Sequence, residues 1–395
     1  MKCRIDNKKC KIFLDFGKMP IANGFLKKNN KNKEYFFPLK LCFNNRLKLV
    51  QITHNPNPKK MFNKDYPFFT SSSNFMEKHF HKLSDWIKKN YLKKKSYILE
   101  LGSNDGTFLK NFERKYSFGF EPSKSVHNYS LKRNVNSINK FFNKTNLKFF
   151  KNKRIFFDVI FGANVFCHIP NQRNLIRSMD SILSENGTII FEEPYLGSMY
   201  KKISYDQIYD EHIYMFSVCS IERIYKMFGF KLIDAIPQNT HGGSMRYVIK
   251  RAHKNYKKSK RLLKLINLEK KENIDNYKGC LKFKKKVEAS KKKLINKINT
   301  ILKKNEKICG YGATSKSTTI LNYCGINNKM IDCIYDTTPS KIGKLSPGMH
   351  IPIKDYKYFK NSKYKNIFLF AWNHKKEILE KEKKKKNLKW FSHLY

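Results

Sequence analysis

Two glycines with small polar residues between them form a segment of this chain that could bind a cofactor. Residues 97–101 are an apolar run that predicts a strand, and Gly102 and Gly106 predict a tight turn at its end. Residues 108–112 carry apolar side chains at helical spacing and predict the start of a helix. Glycine lets the backbone approach a ligand that a side chain would repel. The segment therefore predicts a cradle for a nucleotide-type cofactor.

A carboxylate further along the chain completes this pattern. A second predicted strand, residues 116–120, ends at Glu121, and an acid at that position of a doubly wound sheet accepts hydrogen bonds from a ribose. Asn104 and Asp105 put acceptor groups into the turn, which favours S-adenosylmethionine because this cofactor carries no phosphate. Asn164, at the end of a later strand, is a further candidate contact. We expect the cofactor to lie against Glu100, Gly102, Asn104, Asp105, Gly106, Glu121 and Asn164.

Alternating strands and helices must position this turn. A helix is predicted at 81–94, and strands are predicted at 97–101, 116–120, 156–161 and 187–192. This alternation, from residue 96 to about residue 250, predicts a parallel sheet with helices on both faces. Residues 1–80 contain five prolines, which predict an irregular lobe without long helices.

A second α/β unit is predicted after a lysine-rich stretch at 253–305, whose apolar spacing predicts a pair of amphipathic helices. Its strands are predicted at 307–311, 330–335 and 367–372, and a glycine turn at 312–316 follows the first of them. Gly312, Lys316 and Asp336 are candidate contacts to a substrate nucleotide. We therefore predict an α/β chain of three domains: a small irregular N-terminal lobe at 1–75, a Rossmann-like cofactor domain at 76–252, and a helical linker with a second Rossmann-like domain at 253–395.

Composition narrows the classes of function. The 82 basic and 31 acidic residues give a formal net charge of +51, yet only 11 of the basic residues are arginine. Phosphate and base recognition favours the planar guanidinium, and the lysines are spread through every segment, so we expect no specific nucleic-acid partner. Apolar runs as long as a membrane span are absent from the sequence, and the nine cysteines lack paired spacing. These features predict a cytoplasmic protein that does not contact a membrane.

Motifs spread over the whole chain resemble those of one family. They are PIANGFL (20–26), YPFFTSSS (66–73), ELGSNDGT (100–107), NVFCHI (164–169), EEPY (192–195), DQIYDEH (206–212), GGSMR (242–246), GYGATSK (310–316) and AWN (371–373). In this order they are similar to the S-adenosylmethionine-dependent C-methyltransferases of nucleotide-activated deoxysugars, which methylate C3 of a 4-keto-hexose. Members have an N-terminal zinc-binding domain, a central class I methyltransferase domain and a C-terminal nucleotide-sugar domain.

The resemblance implies a reaction and a set of catalytic residues. A ketone acidifies the neighbouring C–H bond, so one general base and stabilisation of the enolate suffice for methyl transfer to carbon. His212 is the implied base, and Glu211 is implied to orient it or to bind the sugar. Tyr209 and Tyr66 are implied to offer hydroxyls to the enolate oxygen. His168 also follows a strand, but we do not include it in the catalytic set.

The substrate is implied to be a nucleotide-activated keto-sugar used for a polysaccharide or glycoconjugate. Arg246 follows a glycine turn and suits the oxygens of a diphosphate. The expected substrate contacts are Gly243, Ser244, Arg246, Gly312, Lys316 and Asp336.

The sequence departs from the family pattern at the zinc site. The family has two Cys-x-x-Cys pairs, whereas this chain has Cys3 with Asp6 and Cys42 with Asn45. Structural zinc prefers four cysteine or histidine ligands, and Cys10 lies nearby at the wrong spacing. We therefore expect the lobe to fold without a metal.

A second departure is Asp210, which stands where the family commonly has histidine and which puts substrate choice in question more than the reaction. Two alternatives stay open: a methyltransferase that acts on RNA, and a non-catalytic nucleotide-sugar-binding protein. Aromatic residues concentrated in apolar strands argue against the first, and the presence of Glu121 and His212 argues against the second. The sequence leaves the sugar, the carbon and the nucleotide open. We expect a monomer or a weak dimer.

Overall fold

Three sheets organise the residues that the structure describes. The structure is a computed structural model, and it describes residues 1–29, 34–57 and 69–394. The sheets contain four, seven and five strands and follow one another along the chain, except that one strand of the first sheet comes from the middle of the chain. This mixed architecture confirms the predicted α/β fold class. The domain boundaries at residues 75 and 252 stay a prediction.

The N-terminal sheet is antiparallel. Its strands are β1 (Lys11–Pro20), β2 (Phe36–Asn44) and β3 (Leu49–Ile52). The prediction of an irregular lobe is therefore wrong, whereas the predicted absence of long helices holds for the described residues up to 73. Pro20 ends β1 instead of interrupting it, and an 18-residue helix, α1, begins at Asn74 and ends at Tyr91.

Helix α1 starts seven residues before the predicted position. The Ser73 side chain accepts a hydrogen bond from the Met76 N–H at 3.4 Å and thus caps the first turn. Met76, Phe80, Leu83 and Ile87 are buried along one face, at the spacing of an amphipathic helix that packs on a core.

The central sheet is built mainly of parallel strands. Its strands are β4 (Ile98–Leu101), β5 (Ser117–Phe120), β6 (Ser137–Ile138), β7 (Phe157–Ala163), β8 (Leu183–Pro194), β10 (Phe230–Gln238) and β11 (Ser244–Arg251). The strand between β8 and β10 in the sequence, β9 (Tyr214–Met215), pairs with β3 of the first sheet. The strand order is β10-β11-β8-β7-β4-β5-β6, with β10 and β11 antiparallel to their neighbours. The four predicted strands are confirmed. Because the order reverses at β4, the carboxyl ends of β4, β5 and β7 form the crevice where such sheets bind ligands.

The predicted helix after Gly106 is wrong. The chain forms two short 3-10 turns, at Leu109–Asn111 and Arg114–Tyr116, before β5 begins. Phe108 and Leu109 are instead buried in the core, and the Phe108 ring centroid lies 4.3 Å from that of Phe161 on β7. The apolar spacing reflects this packing and not a helical turn.

The other described helices flank the sheets. They are α2 (Lys124–Lys132), α3 (Lys148–Asn152), α4 (Gln172–Asp180), α5 (Leu196–Lys202), α6 (Val218–Lys226), α7 (Lys260–Lys271), α8 (Tyr277–Lys303), α9 (Ser315–Cys324) and α10 (Lys375–Lys381). The helices α7 and α8 confirm the predicted amphipathic pair. Among the helices of the described ranges, none has the length and apolar character that a membrane crossing requires.

The C-terminal sheet is parallel and has the order β14-β13-β12-β15-β16. Its strands are β12 (Ile308–Tyr311), β13 (Ile334–Asp336), β14 (Ile353–Asp355), β15 (Asn366–Leu369) and β16 (Lys389–Phe391). The order again reverses at the first strand of the unit, which is the arrangement of a second Rossmann-like sheet. Helix α9 follows β12 after the glycine turn, as the sequence predicts.

Candidate active site

One cavity of about 600 Å³ lies at the carboxyl edge of β4, β5 and β7. This volume is within the usual range for small-molecule sites. The cavity also reaches the segment 207–212, the first turn of α9 and Asn23 of the N-terminal lobe. The predicted site residues on its wall are Glu100, Gly102, Asn104, Glu121, Asn164, Tyr209, Glu211, His212 and Lys316. Tyr66 lies outside the described residues.

The glycine turn approaches the cavity with its backbone. Gly102 has φ of +65°, and a Cβ there would lie 2.9 Å from Cγ2 of Val165. Glu121 holds the same turn, because its Oε2 accepts from the Asn104 N–H at 3.0 Å and its Oε1 accepts from the Ser123 N–H at 2.7 Å. We call residues 102–106 together with Glu121 the cofactor cradle.

Two residues of the cradle serve its shape and do not line the cavity. Asp105 is buried, and its carboxylate accepts from the Ser71 N–H at 2.8 Å and from the Thr107 hydroxyl at 2.6 Å. Gly106 has φ of +78°, and a Cβ there would lie 2.8 Å from Cγ2 of Val135. Both residues therefore hold the turn in place.

Three buried acids, Glu100, Asp105 and Glu121, lie together at the cradle. Burial raises the pKa of Glu100 well above its usual value, and the charges of Asp105 and Glu121 raise it further. Burial also raises the pKa of Glu121, although the N–H groups that it accepts oppose the shift. Oε2 of Glu100 is buried and has no hydrogen-bond partner within the described part of the chain. Such a site suits a cation, and S-adenosylmethionine carries a sulfonium and an ammonium group.

His212 is held in one tautomer at the opposite side of the cavity. Its Nδ1 lies 2.6 Å from the Gln207 carbonyl oxygen, which can only accept, so Nδ1 carries the proton. Nε2 is then the basic nitrogen, and it accepts from the Tyr209 hydroxyl at 3.0 Å. Burial lowers the pKa of His212 to about 4, so the ring is neutral at neutral pH. The geometry provides a neutral base with its lone pair beside a phenol.

Two buried acids precede this histidine. Glu211 lines the cavity, and its Oε1 accepts from Nδ2 of Asn23 at 2.7 Å. Oδ1 of Asp210 accepts from the Ala22 N–H at 2.9 Å. Burial raises the pKa of both carboxyl groups, and the Asp210 charge adds to the effect on Glu211. Asp210 itself is not on the cavity wall.

His168 belongs to the site, although the sequence analysis did not include it. It lines the cavity, and its ring stacks on the His212 ring with centroids 5.3 Å apart. Burial lowers its pKa well below the usual value. The available signal was its position four residues after Asn164, at the same carboxyl edge as the glycine turn.

The C-terminal domain adds two half-buried lysines to the cavity wall. Lys316 in α9 donates to Oδ1 of Asn373 at 3.2 Å, and Lys341 donates to the carbonyl oxygen of Ala313 at 2.8 Å. Burial lowers the pKa of both ammonium groups. Lys341 is a further residue that the sequence analysis missed, because it lies outside every motif.

Gly312 and Asp336 shape the loop beside these lysines. Oδ2 of Asp336 accepts from the Ala313 N–H at 2.6 Å, and its Oδ1 accepts from the Thr338 N–H at 2.7 Å. Gly312 has φ of +84°, and a Cβ there would lie 2.9 Å from the Cβ of Ala371. Neither residue is on the cavity wall.

Arg246 is bound to another side chain of the protein. Its Nε donates to Oε1 of Glu192 at 2.7 Å, and its guanidinium lies 4.7 Å from the centre of the Trp86 ring. Gly243 has φ of +121°, and a Cβ there would lie 2.5 Å from Oγ of Ser198. The Ser244 hydroxyl donates to the carbonyl oxygen of Thr240 at 3.1 Å, and none of these three predicted substrate contacts is on the cavity wall.

A glycine cradle with buried acids lies at the switch point of a parallel sheet, and a neutral base lies in the same cavity, an arrangement that suits a methyltransferase. The chain is an S-adenosylmethionine-dependent methyltransferase. Three family models match it: a putative zinc binding domain at residues 3–62, a methyltransferase domain at 75–235 and a C-methyltransferase C-terminal domain at 239–392. The chain thus has the domain architecture of the C-methyltransferases.

Among characterised proteins, the chain is similar to the C-methyltransferase NovU of Streptomyces niveus. The two are 25% identical over 374 residues, which cover 94% of this chain and 89% of NovU. Solved structures with a similar fold include the plantazolicin methyltransferase BpumL in complex with SAH, at 15% identity and a TM-score of 0.35 over 44% of this chain and 82% of that one. Another is the magnesium protoporphyrin IX methyltransferase ChlM from Synechocystis PCC 6803 with bound SAM, at 11% identity and a TM-score of 0.33 over 44% and 79%.

The zinc that the N-terminal model implies does not fit the donor atoms of this lobe. The neighbouring Cys10 thiol and burial raise the pKa of Cys3, and the Cys42 thiol and burial raise the pKa of Cys10 to about 12, which favours thiols over the thiolates that zinc needs. Of these three cysteines, only Cys42 has a lowered pKa, because of its contact with Cys10. Oδ1 of Asp6 accepts from Nδ2 of Asn44 at 2.9 Å. In the described ranges, three possible ligand atoms lie within 4.8 Å of one another only at Cys167, His168 and His212, where both nitrogens of His212 are already engaged.

Proposed function

We propose that this enzyme transfers a methyl group to the carbon α to the ketone of a nucleotide-activated keto-deoxysugar. One observation carries the proposal: a single cavity joins the cofactor cradle, the basic Nε2 of His212 and two half-buried lysines. A base beside a methyl donor suits attack by carbon, and the cationic wall suits a diphosphate. The sugar class is supported by the resemblance of the motifs to the deoxysugar C-methyltransferases.

The cofactor residues follow from the cradle. Gly102 and Asn104 would lie against S-adenosylmethionine, Glu121 would accept its ribose hydroxyls, and Glu100 would face its positive charge. When bound, the cofactor supplies an electrophilic methyl group on a sulfonium. The remaining chemistry belongs to the side chains around His212.

His212 removes the proton from the substrate carbon through Nε2. The ring's own proton stays on Nδ1, which donates it in a hydrogen bond to the Gln207 carbonyl oxygen, and this bond keeps the ring in its orientation. The Tyr209 hydroxyl, which donates to Nε2 in the structure, turns to donate to the enolate oxygen as that oxygen becomes negative. Glu211, which lies on the cavity wall, binds the sugar, and a role for Tyr66 stays a prediction.

Lys316 and Lys341 bind the diphosphate of the nucleotide sugar. Both ammonium groups are on the cavity wall, and each makes only one described hydrogen bond, to an uncharged oxygen. An ammonium has three donors, so each retains capacity for phosphate oxygens. This assignment replaces the expected diphosphate contact of Arg246, whose guanidinium is held by Glu192.

A hydrogen-exchange assay tests the proposed function. A panel of nucleoside-diphosphate 4-keto-6-deoxyhexoses is incubated with the protein in deuterated buffer without a methyl donor, and deuterium at the α carbon is read by NMR. We expect exchange with the wild type and with His253→Ala, a control at an exposed histidine that pairs with Glu185, and none with His212→Ala. Lack of exchange on every sugar with the wild type contradicts the sugar substrate, while exchange that survives in His212→Ala contradicts the assigned base.

A further inference from the structure

Asn23 of the N-terminal lobe joins the central and C-terminal domains at the cavity wall. Its Nδ2 donates to Oε1 of Glu211 at 2.7 Å, and its Oδ1 accepts from the Ser315 hydroxyl of α9 at 3.0 Å. Glu211 and Ser315 are 104 positions apart in sequence and are bridged by one amide. Both polar atoms of that amide are engaged, so its orientation is fixed.

The backbone of Ala22, the residue before Asn23, is held by the same two elements. The Ala22 N–H donates to Oδ1 of Asp210 at 2.9 Å, and the Ala22 carbonyl accepts from the Thr318 hydroxyl of α9 at 2.8 Å. Thr319 of α9 in turn donates to the Ile208 carbonyl at 2.8 Å. These buried bonds hold the segment around Ala22 between α9 and the catalytic segment 207–212, so the Asn23 amide has little freedom to move.

Burial and the groups around Glu211 set the pKa of its carboxyl group, and the Asn23 amide is one of those groups. Asp210 on the same segment raises the pKa of Glu211, whereas Lys341 of the C-terminal domain and the Asn23 N–H lower it. Oε1 of Glu211 accepts the hydrogen bond from Nδ2 of Asn23, and Oε2 accepts no hydrogen bond from residues 1–29, 34–57 or 69–394. The other oxygen of Glu211 is therefore the one left for a ligand in the cavity.

We propose that Asn23 is a positioning residue of the reaction: it holds the Glu211 carboxyl group so that Oε2 faces the substrate, and it thereby makes the N-terminal lobe part of the active site. The role in catalysis rests on the proposed function, whereas the contact with Glu211 does not. The lobe then has a purpose in this chain that requires no metal.

The first test follows the Glu211 carboxyl group without any substrate. Infrared difference spectra between the wild type and Glu211→Gln isolate its C=O band, and a pH titration gives its midpoint. Asn23→Ala should raise that midpoint by about one pH unit, because the carboxylate loses a donated hydrogen bond. Asn23→Asp keeps the shape and the Ser315 contact but puts a third acid beside Glu211, so it should raise the midpoint further. Asn90→Ala, at an exposed position at the end of α1, is the control.

The second test uses turnover. Asn23→Ala should lower kcat about 10-fold or more on an accepted keto-sugar while S-adenosylmethionine affinity stays unchanged, because the cradle is untouched. A wild-type midpoint and kcat in both folded Asn23 variants overturn the proposal. A further outcome is that the Asn23 variants shift the midpoint while the wild type exchanges no proton of any keto-sugar tested. That result supports the positioning of Glu211 and contradicts only the proposed substrate.

Discussion

Replacing Glu121 by alanine tests the cofactor cradle. Its Oε2 and Oε1 each accept one backbone N–H, from Asn104 at 3.0 Å and Ser123 at 2.7 Å, so each oxygen retains a lone pair for a ribose hydroxyl. A hydrogen bond to a charged group contributes about 1.5–3 kcal/mol, so loss of one ribose bond weakens S-adenosylmethionine binding about 10- to 150-fold. The two backbone N–H groups that Glu121 accepts also lose their partner, which loosens the turn.

Isothermal titration calorimetry measures this effect. Burial raises the pKa of Glu121, so the carboxylate is lost as the pH falls, and the titration is best done at about pH 8. Glu121→Gln retains one acceptor oxygen but places an NH2 group against a backbone N–H, so its affinity should lie between those of the wild type and Glu121→Ala. Glu113→Gln, an exposed acid before β5, is the matched control. Affinity of Glu121→Ala within about twofold of the wild type, with an unchanged melting temperature, refutes the assignment.

Two further predictions concern the base and the N-terminal lobe. His212→Ala should keep S-adenosylmethionine binding while turnover falls about 10²–10⁴-fold, the usual effect of a positioned base. Because burial lowers the pKa of His212 to about 4, the neutral base is lost only as the pH falls through about 4, and an NMR titration of the His212 ring with a midpoint near the ordinary histidine value contradicts this. The purified protein should contain no stoichiometric zinc, since the raised pKa values of Cys3 and Cys10 keep these groups as thiols. Elemental analysis that finds one zinc per chain, released only on unfolding, contradicts that prediction.

Local patterns were enough to predict the strands and the glycine turn. The apolar run before Gly102 and the acid at Glu121 are each set by a few neighbouring residues, and both lie where the spacing predicts. The helix predicted after Gly106 failed because the same apolar spacing also arises when Phe108 packs against Phe161, which is a contact between distant parts of the chain.

Long-range pairing explains the site residues that sequence could not place. Arg246 is taken by Glu192, 54 positions away, and a motif gives no sign of such a partner. Lys341 and Asn23 enter the cavity because the C-terminal domain and the N-terminal lobe both close on the segment 207–212. Spacing within a domain can predict a cradle, but it cannot predict which side chains another domain contributes.

Methyl transfer to carbon can be tested by locating the transferred methyl group in the product. The protein is incubated with methyl-labelled S-adenosylmethionine and a panel of nucleoside-diphosphate 4-keto-6-deoxyhexoses, and the products are examined by mass spectrometry and carbon NMR. With the wild type, we expect a sugar product that carries one added methyl group, bonded to the carbon next to the ketone. With His212→Ala, we expect no methylated product. Label on an oxygen or nitrogen atom, or label that enters added RNA and no sugar, would contradict methyl transfer to a sugar carbon.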